Sequence, residues 1–558
     1  MAEPFETLPR SLYLALDDVD VHSEESDNEE ELFIEDFELN DDVEDDSENE
    51  GDTENEGDEE PKLSISREHA KANYRRAGTE VPERASEIKV EDYTEVMNKE
   101  VENLFDSIVE EVKLPYKPAP FQRVATVALG GGKNVVMVMG TGEGKMTVTL
   151  LASLLVRRTH GHPKGVTIVT QPLTGLALEQ LSNPVCKAAV MGMSGRLTAD
   201  TAEDGGPKAN LSCTLEDLLD GKYPLLVCHP DCFSSPLCQR VLSELERRKQ
   251  LNLVVIDEFD TNKHWKSFRP EMMRQSTGLR NFAREGSPMM VMTASAKEKE
   301  VKEIVKYMGL REPPVLITTN PVQSHIKLSV IRRPSNAFGF AGKEGDNGVL
   351  KPGLWSILNE IYFREFFRDR AEGREPKHAI IFCRGMRLMA KLHSHLSTIS
   401  GYCNARDSPF VMFHSDLTPA TEQVILNRMG DYQALLSTTR GLLGYNFKKI
   451  DVVIFLQPYD EGAFLLQGGG RGGRRQLDGL KRCVQVYQLW NPEDLTRRNK
   501  LMTEEMRRVC RTGARACTRD FLQQSFHIGK GKPVRMLEEE RGETCCHYHD
   551  LLARQEIE

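Results

Sequence analysis

A glycine-rich stretch between an apolar run and a helical run constrains this 558-residue chain more than any other feature. The apolar run from Val135 to Met139 has the length of a buried parallel strand, and the run from Val148 to Val156 predicts a helix packed on a sheet. Glycines at such a turn let backbone N–H groups approach phosphate oxygens, and the helix N-terminus adds its dipole. The stretch therefore predicts a phosphate-binding loop, although an ordinary glycine-rich turn would have a similar composition. The candidate nucleotide-binding residues are Gly140, Thr141, Gly142, Glu143, Gly144, Lys145, Met146 and Thr147.

One position in this loop departs from the usual pattern. Lys145 would reach the terminal phosphates as a point charge. The residue after this lysine is normally Ser or Thr, whose hydroxyl binds Mg²⁺. Here it is Met146, and Thr147 follows one place later. A thioether is a poor ligand for a hard cation, so the sequence predicts phosphate binding and leaves Mg²⁺ coordination at this position in doubt.

Apolar strands alternate with helical stretches over residues 116–335, which predicts an α/β domain with a parallel sheet. The candidate strands are Val135–Met139, Val166–Thr170, Leu225–Cys228, Leu253–Ile256 and Met289–Met292. Asp257 and Glu258 directly follow the fourth of these strands. In a nucleotide site Asp257 would hold Mg²⁺ and Glu258 would polarise the attacking water. The alternative is a solvent-facing turn, but the glycine loop upstream favours the catalytic interpretation.

A second alternation of strands and helices follows over residues 351–500, after a glycine-rich and polar segment that predicts a linker at 336–350. The alternative is a long surface loop within one domain. The fold class is thus α/β, with two parallel-sheet domains in tandem. The most distinctive part of the second domain runs from Gln467 to Arg474 and contains Arg471. Two arginines three residues apart in a glycine-rich turn favour phosphate contacts, although a flexible basic loop is the alternative.

The charge of −14 is unevenly distributed along the chain. Residues 1–60 hold 27 of the 86 acidic residues and one of the 72 basic ones, so the remainder carries 71 basic and 59 acidic residues, a net of +12. The tail 1–60 is predicted to be disordered. Its apolar residues Phe33, Ile34 and Phe37 could form a protein-docking motif, and a solvated tail without a partner is the favoured alternative. Residues 61–115 form a charged lead-in with helical spacing. The basic body suits a polyanionic partner.

Read together and in order, these motifs resemble the RecQ-like branch of the superfamily 2 helicases. The resemblance covers residues 116–500 and implies two RecA-like domains that bind ATP and Mg²⁺ between them. Gln122 lies where the family has its adenine-reading glutamine, and the Gln467–Arg474 stretch matches the sixth motif. The other matching stretches are Gly140–Lys145, Gln171-Pro-Leu-Thr-Gly-Leu, Asp257-Glu258, Thr293-Ala-Ser-Ala, Phe382-Cys-Arg384 and Ser437 to Asn446. The implied catalytic residues are Lys145, Asp257, Glu258, Gln467, Arg471 and Arg474.

The segment after Asp257-Glu258 is similar to the aromatic-rich loop of RecQ-like proteins. By this resemblance Trp265, Phe268 and Arg269 would contact single-stranded DNA, with base stacking as the physical basis. The resemblance implies 3′-to-5′ movement on DNA that is single-stranded or has single-stranded tails, and a nuclear location. Two alternatives stay open. The first is a protein that binds nucleotide and DNA without efficient turnover, which Met146 favours, and the second is an RNA helicase.

The C-terminal residues 501–558 are predicted to form a small helical segment that resembles the zinc module of the same family. Cys517, Cys546 and His549 are the candidate zinc ligands, and either Cys510 or Cys545 would supply the fourth. Reduced cysteines and surface histidines are the alternative interpretation. The scattered cysteines favour a reducing compartment, and neither a membrane span nor a secretory signal is apparent.

Overall fold

The computed structural model describes most of the chain after residue 66. The described residues are 67–81, 90–114, 116–159, 161–171, 186–192, 197–200, 210–259, 278–281, 287–310, 313–333, 343–344, 350–351, 353–402, 408–438, 441, 447, 449–473, 481–496, 502–513, 515–528 and 545–550. The acidic tail 1–60, the predicted DNA contacts Trp265, Phe268 and Arg269, and the predicted catalytic Arg474 all lie outside these residues.

The described residues of the lead-in are largely helical, as its spacing predicted, and they contact both halves of the molecule. Its elements are α1 (Arg67–Arg76), β1 (Glu80–Val81) and α2 (Lys99–Val112). Tyr74 of α1 packs in the core of the second lobe, whereas Phe105 and Ile108 of α2 pack against the first lobe. Asn98 caps α2 by accepting hydrogen bonds from two backbone N–H groups of its first turn.

The first lobe is built on a nine-stranded sheet whose order is β10-β2-β9-β8-β3-β7-β4-β5-β6. Its strands are β2 (Val135–Val138), β3 (Val166–Thr170), β4 (Ala188–Met191), β5 (Leu197–Asp200), β6 (Asn210–Ser212), β7 (Leu225–Cys228), β8 (Leu251–Ile256), β9 (Met289–Thr293) and β10 (Val315–Thr318). Its helices are α3 (Pro120–Gly130), α4 (Lys145–Thr159), α5 (Leu215–Leu219), α6 (Pro236–Arg247) and α7 (Glu298–Met308). All neighbouring strands from β10 to β4 run parallel, and β5 and β6 add an antiparallel edge.

The five strands predicted for this lobe are confirmed within a residue or two. They are near-continuous runs of Val, Ile, Leu and Met that are buried along their whole length, as parallel strands covered on both faces must be. Their carboxyl ends lie at one edge of the sheet, where ligands bind in open α/β sheets. This edge carries the phosphate loop after β2 and Asp257 after β8.

The second lobe is built on a six-stranded parallel sheet with the order β11-β19-β17-β14-β16-β15. Its strands are β11 (Ile326–Arg332), β14 (His378–Phe382), β15 (Phe410–Phe413), β16 (Ala434–Ser437), β17 (Ile450–Phe455) and β19 (Val484–Trp490). Two short antiparallel pairs lie outside this sheet. In one, β12 (Lys343–Glu344) pairs with β13 (Leu350–Lys351), and in the other, β18 (Lys481–Arg482) pairs with β1. Its helices are α8 (Leu354–Leu358), which continues through a π-turn (Asn359–Phe363) into α9 (Arg364–Ala371), then α10 (Met386–Ile399), α11 (Pro419–Asn427) and α12 (Gly462–Gly469).

The predicted boundary between the lobes is wrong by about ten residues. The sheet of the first lobe ends with β10 at Thr318, and β11, which begins at Ile326, already pairs with β19 in the second sheet. The connection between the lobes is therefore residues 319–325. The predicted linker 336–350 therefore follows β11 and precedes α8 in the chain, both of the second lobe, and does not connect the two sheets. An apolar strand does not reveal in sequence which sheet it joins, which explains the error.

The described part of the C-terminal segment is largely helical, as predicted, and contacts both lobes. It contains α13 (Glu504–Thr512) and α14 (Thr518–Ser525). Leu522 and Phe526 pack in the core of the second lobe, while Ile528 belongs to the core of the first. Lys297 of the first lobe forms an ion pair with Glu505 of α13. None of the helices among the described residues combines the length and the apolar character that crossing a membrane requires.

Candidate functional site

The predicted phosphate loop joins β2 to α4, and its backbone has the form that anion binding requires. Gly142 and Gly144 both have a φ of +85°, a conformation that side chains disfavour. Helix α4 begins at Lys145 and extends for 15 residues, so its first backbone N–H groups point into the loop. The loop thus presents backbone donors and a helix N-terminus at the carboxyl edge of the sheet.

The two predicted catalytic carboxylates lie next to this loop. The Lys145 Nζ is 3.9 Å from a carboxylate oxygen of Glu258 and 3.3 Å from the carbonyl oxygen of Met139. Gln171, at the end of β3, donates a hydrogen bond of 3.1 Å to Asp257. Gln171 and Asp257 meet because β3 and β8 are paired neighbours in the sheet. The arrangement places one cation and two carboxylates beside the loop that would hold the phosphates.

The backbone and the electrostatics of the carboxylate pair are both unusual. Glu258 has a φ of +51°, and its N–H donates a 2.9 Å hydrogen bond to the side chain of Asp257. A non-glycine residue in this region costs about 1–3 kcal/mol and is typical of functional sites. Burial and the neighbouring Glu258 carboxylate raise the pKa of Asp257 to about 7. A divalent cation would favour the ionised form, so the pair fits Mg²⁺ by the chemistry of its oxygen donors.

Gln122, predicted to read adenine, holds the phosphate loop to the start of α3. Its carbonyl oxygen accepts a 2.9 Å hydrogen bond from the N–H of Ala119, and its amide donates a 3.0 Å hydrogen bond to the carbonyl of Gly144. Gly144 has a φ of +85°, and a Cβ atom on it would lie 2.5 Å from this amide, so both the backbone conformation and the close approach favour glycine. Gln122 therefore lies beside the loop, and its role toward a base stays a prediction.

Met146, which stands where a Mg²⁺-binding hydroxyl is usual, is accommodated by apolar packing. Met146 is half-buried and packs against the apolar cluster that includes Val148 and Met292. The hydroxyl of Thr147 forms a 2.7 Å hydrogen bond with the hydroxyl of Tyr116. Tyr116 is 45% exposed, so its side chain is accessible beside the loop. Sequence reasoning missed this tyrosine, because the contact joins two residues 31 positions apart that no common motif spacing connects.

The second lobe reaches the phosphate loop through its glycine-rich turn. A Cβ atom on Gly470 would lie 3.0 Å from the Cβ of Thr141, so the two lobes are in contact at this point. Gln467 and Arg471, the predicted catalytic residues on either side of Gly470, are both buried. The contact between Gly470 and Thr141 agrees with a nucleotide site between the lobes.

The predicted zinc ligands lie together in the C-terminal segment. The sulfur of Cys517 is 3.6 Å from that of Cys545 and 3.8 Å from that of Cys546, and the Cys546 sulfur is 3.3 Å from the Nδ1 of His549. A tetrahedron with zinc–sulfur bonds of about 2.3 Å has edges of about 3.8 Å, so three sulfurs and one nitrogen at these distances fit zinc. The thiols of Cys517 and Cys545 lower the pKa of Cys546, which favours a thiolate ligand. Of the two cysteines left open for the fourth position, Cys545 lies in the cluster and Cys510 does not.

A further residue that sequence reasoning missed is Gln323, in the connection between the lobes. Its amide donates a 2.8 Å hydrogen bond to the carbonyl oxygen of Thr141 in the phosphate loop. It is 6% exposed. No motif contains it, and only the chain path from β10 to β11 brings it to the loop.

Comparison with known proteins identifies similarities over both lobes. The sequence profile of the DEAD/DEAH box helicase domain matches residues 119–304, and that of the helicase conserved C-terminal domain matches residues 358–476. The chain is 32% identical to ATP-dependent helicase SGS1 of Saccharomyces cerevisiae (strain ATCC 204508 / S288c) over 213 residues, which are 37% of this chain and 13% of that protein. It is 23% identical to putative ATP-dependent DNA helicase Q1 of Caenorhabditis elegans over 222 residues, which are 39% of this chain and 32% of that protein. The matched part is thus less than two thirds of either relative's length.

The fold is also similar to that of a solved helicase. The structure of the DEAD-box helicase Mss116 bound to ssRNA and UDP-BeF superposes with a TM-score of 0.53 over 83% of each chain, at 15% identity. At this level of identity the likeness is one of fold, namely two parallel-sheet lobes in tandem.

Proposed function

Since the chain belongs to the RecQ-like superfamily 2 helicases, we propose that it is an ATP-dependent DNA helicase whose nucleotide lies between the two lobes. The observation that carries this proposal is the convergence of Lys145, Asp257 and Glu258 beside the phosphate loop, with the glycine-rich turn of the second lobe against Thr141. The ligand would be ATP with Mg²⁺, because the site combines backbone N–H groups, a lysine and a carboxylate pair.

The roles of the residues follow from their chemistry. Lys145 would neutralise the terminal phosphates, Asp257 would hold Mg²⁺, and Glu258 would orient and deprotonate the attacking water. Arg471 and Arg474 would approach the phosphates from the second lobe, with Gln467 beside them. Closing the cleft on ATP and reopening it after hydrolysis would move the lobes relative to each other along a single strand, in the proposed 3′-to-5′ direction.

DNA is the proposed partner because one of the relatives above is named as a putative ATP-dependent DNA helicase and the chain after residue 60 carries a net charge of +12. Stacking of bases on Trp265 and Phe268, with Arg269 at the backbone, would couple strand contact to hydrolysis. A nuclear location agrees with this partner. An RNA helicase is the alternative substrate class, and a comparison of single-stranded DNA and RNA of one sequence as stimulators decides between them.

The test of the proposed function is an ATPase assay of the full chain with and without single-stranded DNA. We expect turnover to rise when DNA is added. The second candidate is a RecQ-like protein that binds nucleotide and DNA without efficient turnover. It would be favoured if the rate of ATP hydrolysis stayed at that of buffer alone, with and without DNA, while both ligands still bound. The observation that favours it is Met146, which follows Lys145 where a Mg²⁺-binding hydroxyl is usual and packs into an apolar cluster.

Restoring a hydroxyl at position 146 is expected to increase Mg²⁺-dependent turnover. In Met146→Ser the hydroxyl would supply an oxygen ligand at the start of α4, where the present side chain packs into an apolar cluster. We expect the Mg²⁺ concentration at half-maximal ATPase activity to fall by about tenfold. This is the lower end of the change in metal affinity that follows from altering the residues around a bound metal ion. Met146→Ala is the matched control, because it removes the same thioether without adding a hydroxyl. If the two variants behave alike, either Thr147 or a water molecule already fills the ligand position.

Removing the acidic tail is expected to tighten DNA binding at low salt. Residues 1–60 carry 27 acidic residues and are tethered to a body of net charge +12, so they would compete with DNA for basic surface. A tethered segment at a millimolar effective concentration, with an intrinsic dissociation constant on the order of 10⁻⁴ M, weakens DNA binding by about tenfold. The measurement is a titration of one labelled single strand with the full chain and the truncated chain at two salt concentrations. Equal affinities at low salt would mean that the tail has another role, such as docking a protein through Phe33, Ile34 and Phe37.

A further inference from the structure

The C-terminal segment is tied to the connection between the lobes by one buried arginine. Arg519, in the first turn of α14, is fully buried and donates hydrogen bonds to the backbone carbonyls of Val322 (2.9 Å), Gln323 (3.0 Å) and Ile326. A buried cation is costly unless its donors are satisfied, and the planar guanidinium fork can hold several carbonyls in a fixed geometry. Gln523, one turn later, donates a 3.1 Å hydrogen bond to Asn320 of the same connection.

The helix that carries Arg519 is positioned by the cysteine and histidine cluster. Cys517 is the N-cap of α14, and its sulfur accepts a 3.3 Å hydrogen bond from the N–H of Asp520. The same sulfur lies in the cluster with Cys545 and Cys546. The orientation of Arg519 toward the connection is therefore fixed at the start of its own helix.

The connection in turn holds the phosphate loop. The Gln323 amide donates a 2.8 Å hydrogen bond to the carbonyl of Thr141, and a Cβ atom on Gly140 would lie 2.4 Å from the Gln323 nitrogen. In a trans peptide unit the carbonyl of one residue and the N–H of the next point in opposite directions. Holding the Thr141 carbonyl toward Gln323 therefore directs the Gly142 N–H to the opposite side. Gly142 is one of the loop residues whose N–H would bind phosphate.

We propose that Arg519 is a positioning residue for nucleotide binding, which acts from the C-terminal segment through Gln323 on the phosphate loop. Arg519 fixes the carbonyls on either side of the Gln323 side chain, and Gln323 fixes the orientation of the Thr141–Gly142 peptide unit. The C-terminal segment would thereby set the affinity for the phosphates of ATP without touching them. This inference rests on the proposed function, because it assumes that the loop binds nucleotide.

The test compares the affinity of the full chain and its variants for a fluorescent ATP analogue. We expect Gln323→Ala to weaken binding by about tenfold, the effect of losing one well-placed hydrogen bond. Arg519→Lys keeps the charge but loses the fork, and we expect it to weaken binding by a similar factor. If Arg519 acts through Gln323, the double variant will bind about as weakly as Gln323→Ala alone. The proposal would be overturned if the two effects were independent, because they would then multiply to about a hundredfold weaker binding in the double variant. It would also be overturned if neither substitution changed the affinity.

Two further variants distinguish positioning from a general loss of structure. In Gln323→Glu the side chain keeps its length, but a carboxylate would face the Thr141 carbonyl, so we expect weaker binding than in Gln323→Ala. A purely space-filling role predicts the reverse order. Arg333→Lys is the matched control, because Arg333 is equally buried but pairs with Asp494 at 3.3 Å, away from the connection, and we expect it to leave the affinity unchanged.

Steady-state kinetics of the variants and nucleotide binding by the wild-type protein are two further measurements. At saturating ATP we expect Gln323→Ala and Arg519→Lys to keep most of the wild-type kcat, because the carboxylate pair is intact, so that the change appears in KM. Thermal melting of every variant shows that the folded protein is being compared. Failure of the wild-type chain to bind the ATP analogue would refute the proposed function itself, whereas wild-type binding with independent variant effects would refute only the role of Arg519.

Discussion

Glu258→Gln is expected to abolish most of the ATPase activity while nucleotide binding persists. Glutamine has nearly the same shape as glutamate but cannot take a proton from the attacking water, and loss of such a general base lowers kcat by roughly 10²–10⁴-fold. The carboxylate is only 3.9 Å from the Lys145 Nζ, the group that is proposed to bind the terminal phosphate. The measurement is steady-state ATP hydrolysis with single-stranded DNA, together with the affinity for the fluorescent ATP analogue.

The matched comparison is Lys145→Ala, which removes the cation instead of the base. We expect this variant to weaken nucleotide binding by roughly 10- to 100-fold, the loss of hydrogen bonds to a charged group. Opposite signatures, with binding lost in one variant and turnover lost in the other, would support separate roles for the two side chains. Equal turnover in the wild-type protein and Glu258→Gln would contradict the assignment of Glu258 as the base.

The strands and the phosphate loop were predictable from the sequence because each depends on a local pattern. A parallel strand buried on both faces is a continuous apolar run, which made Val135–Val138 and Leu251–Ile256 visible. The loop was visible because close backbone approach needs glycine at particular positions. The proximity of Asp257 to the loop followed from topology, since the carboxyl ends of parallel strands share one edge of the sheet.

The contacts that hold the site together were not predictable in the same way. Tyr116, Gln323 and Arg519 reach their partners through the path of the chain in space, across 31, 182 and nearly 200 positions respectively. The lobe boundary failed for a related reason, because β11 has the composition of a strand in either sheet. Sequence periodicity reports whether a residue is buried, and it does not report which neighbour it is buried against.

Removing the proposed zinc ligand Cys546 is expected to have the largest effect on stability. A structural zinc site with four protein ligands stabilises its fold directly, because the unfolded segment does not form the site. We expect Cys546→Ser to lose one zinc ion per chain and to melt at a markedly lower temperature. The measurements are zinc content by elemental analysis and thermal melting of the purified protein, before and after treatment with a chelator.

Cys510 provides a matched control for the identity of the fourth zinc ligand. Cys510 is as buried as Cys545 but lies outside the cluster, so Cys510→Ser is expected to keep its zinc, whereas Cys545→Ser is expected to lose it. Retention of zinc in Cys545→Ser and loss in Cys510→Ser would reverse the assignment of the fourth ligand. A wild-type chain that contains no zinc and resists the chelator would mean that the four side chains form a reduced, metal-free core. In that case α14 would owe its position to the packing of Leu522 and Phe526 and to the hydrogen bonds of Arg519, and loss of Cys546 would lower stability only as a buried side chain does.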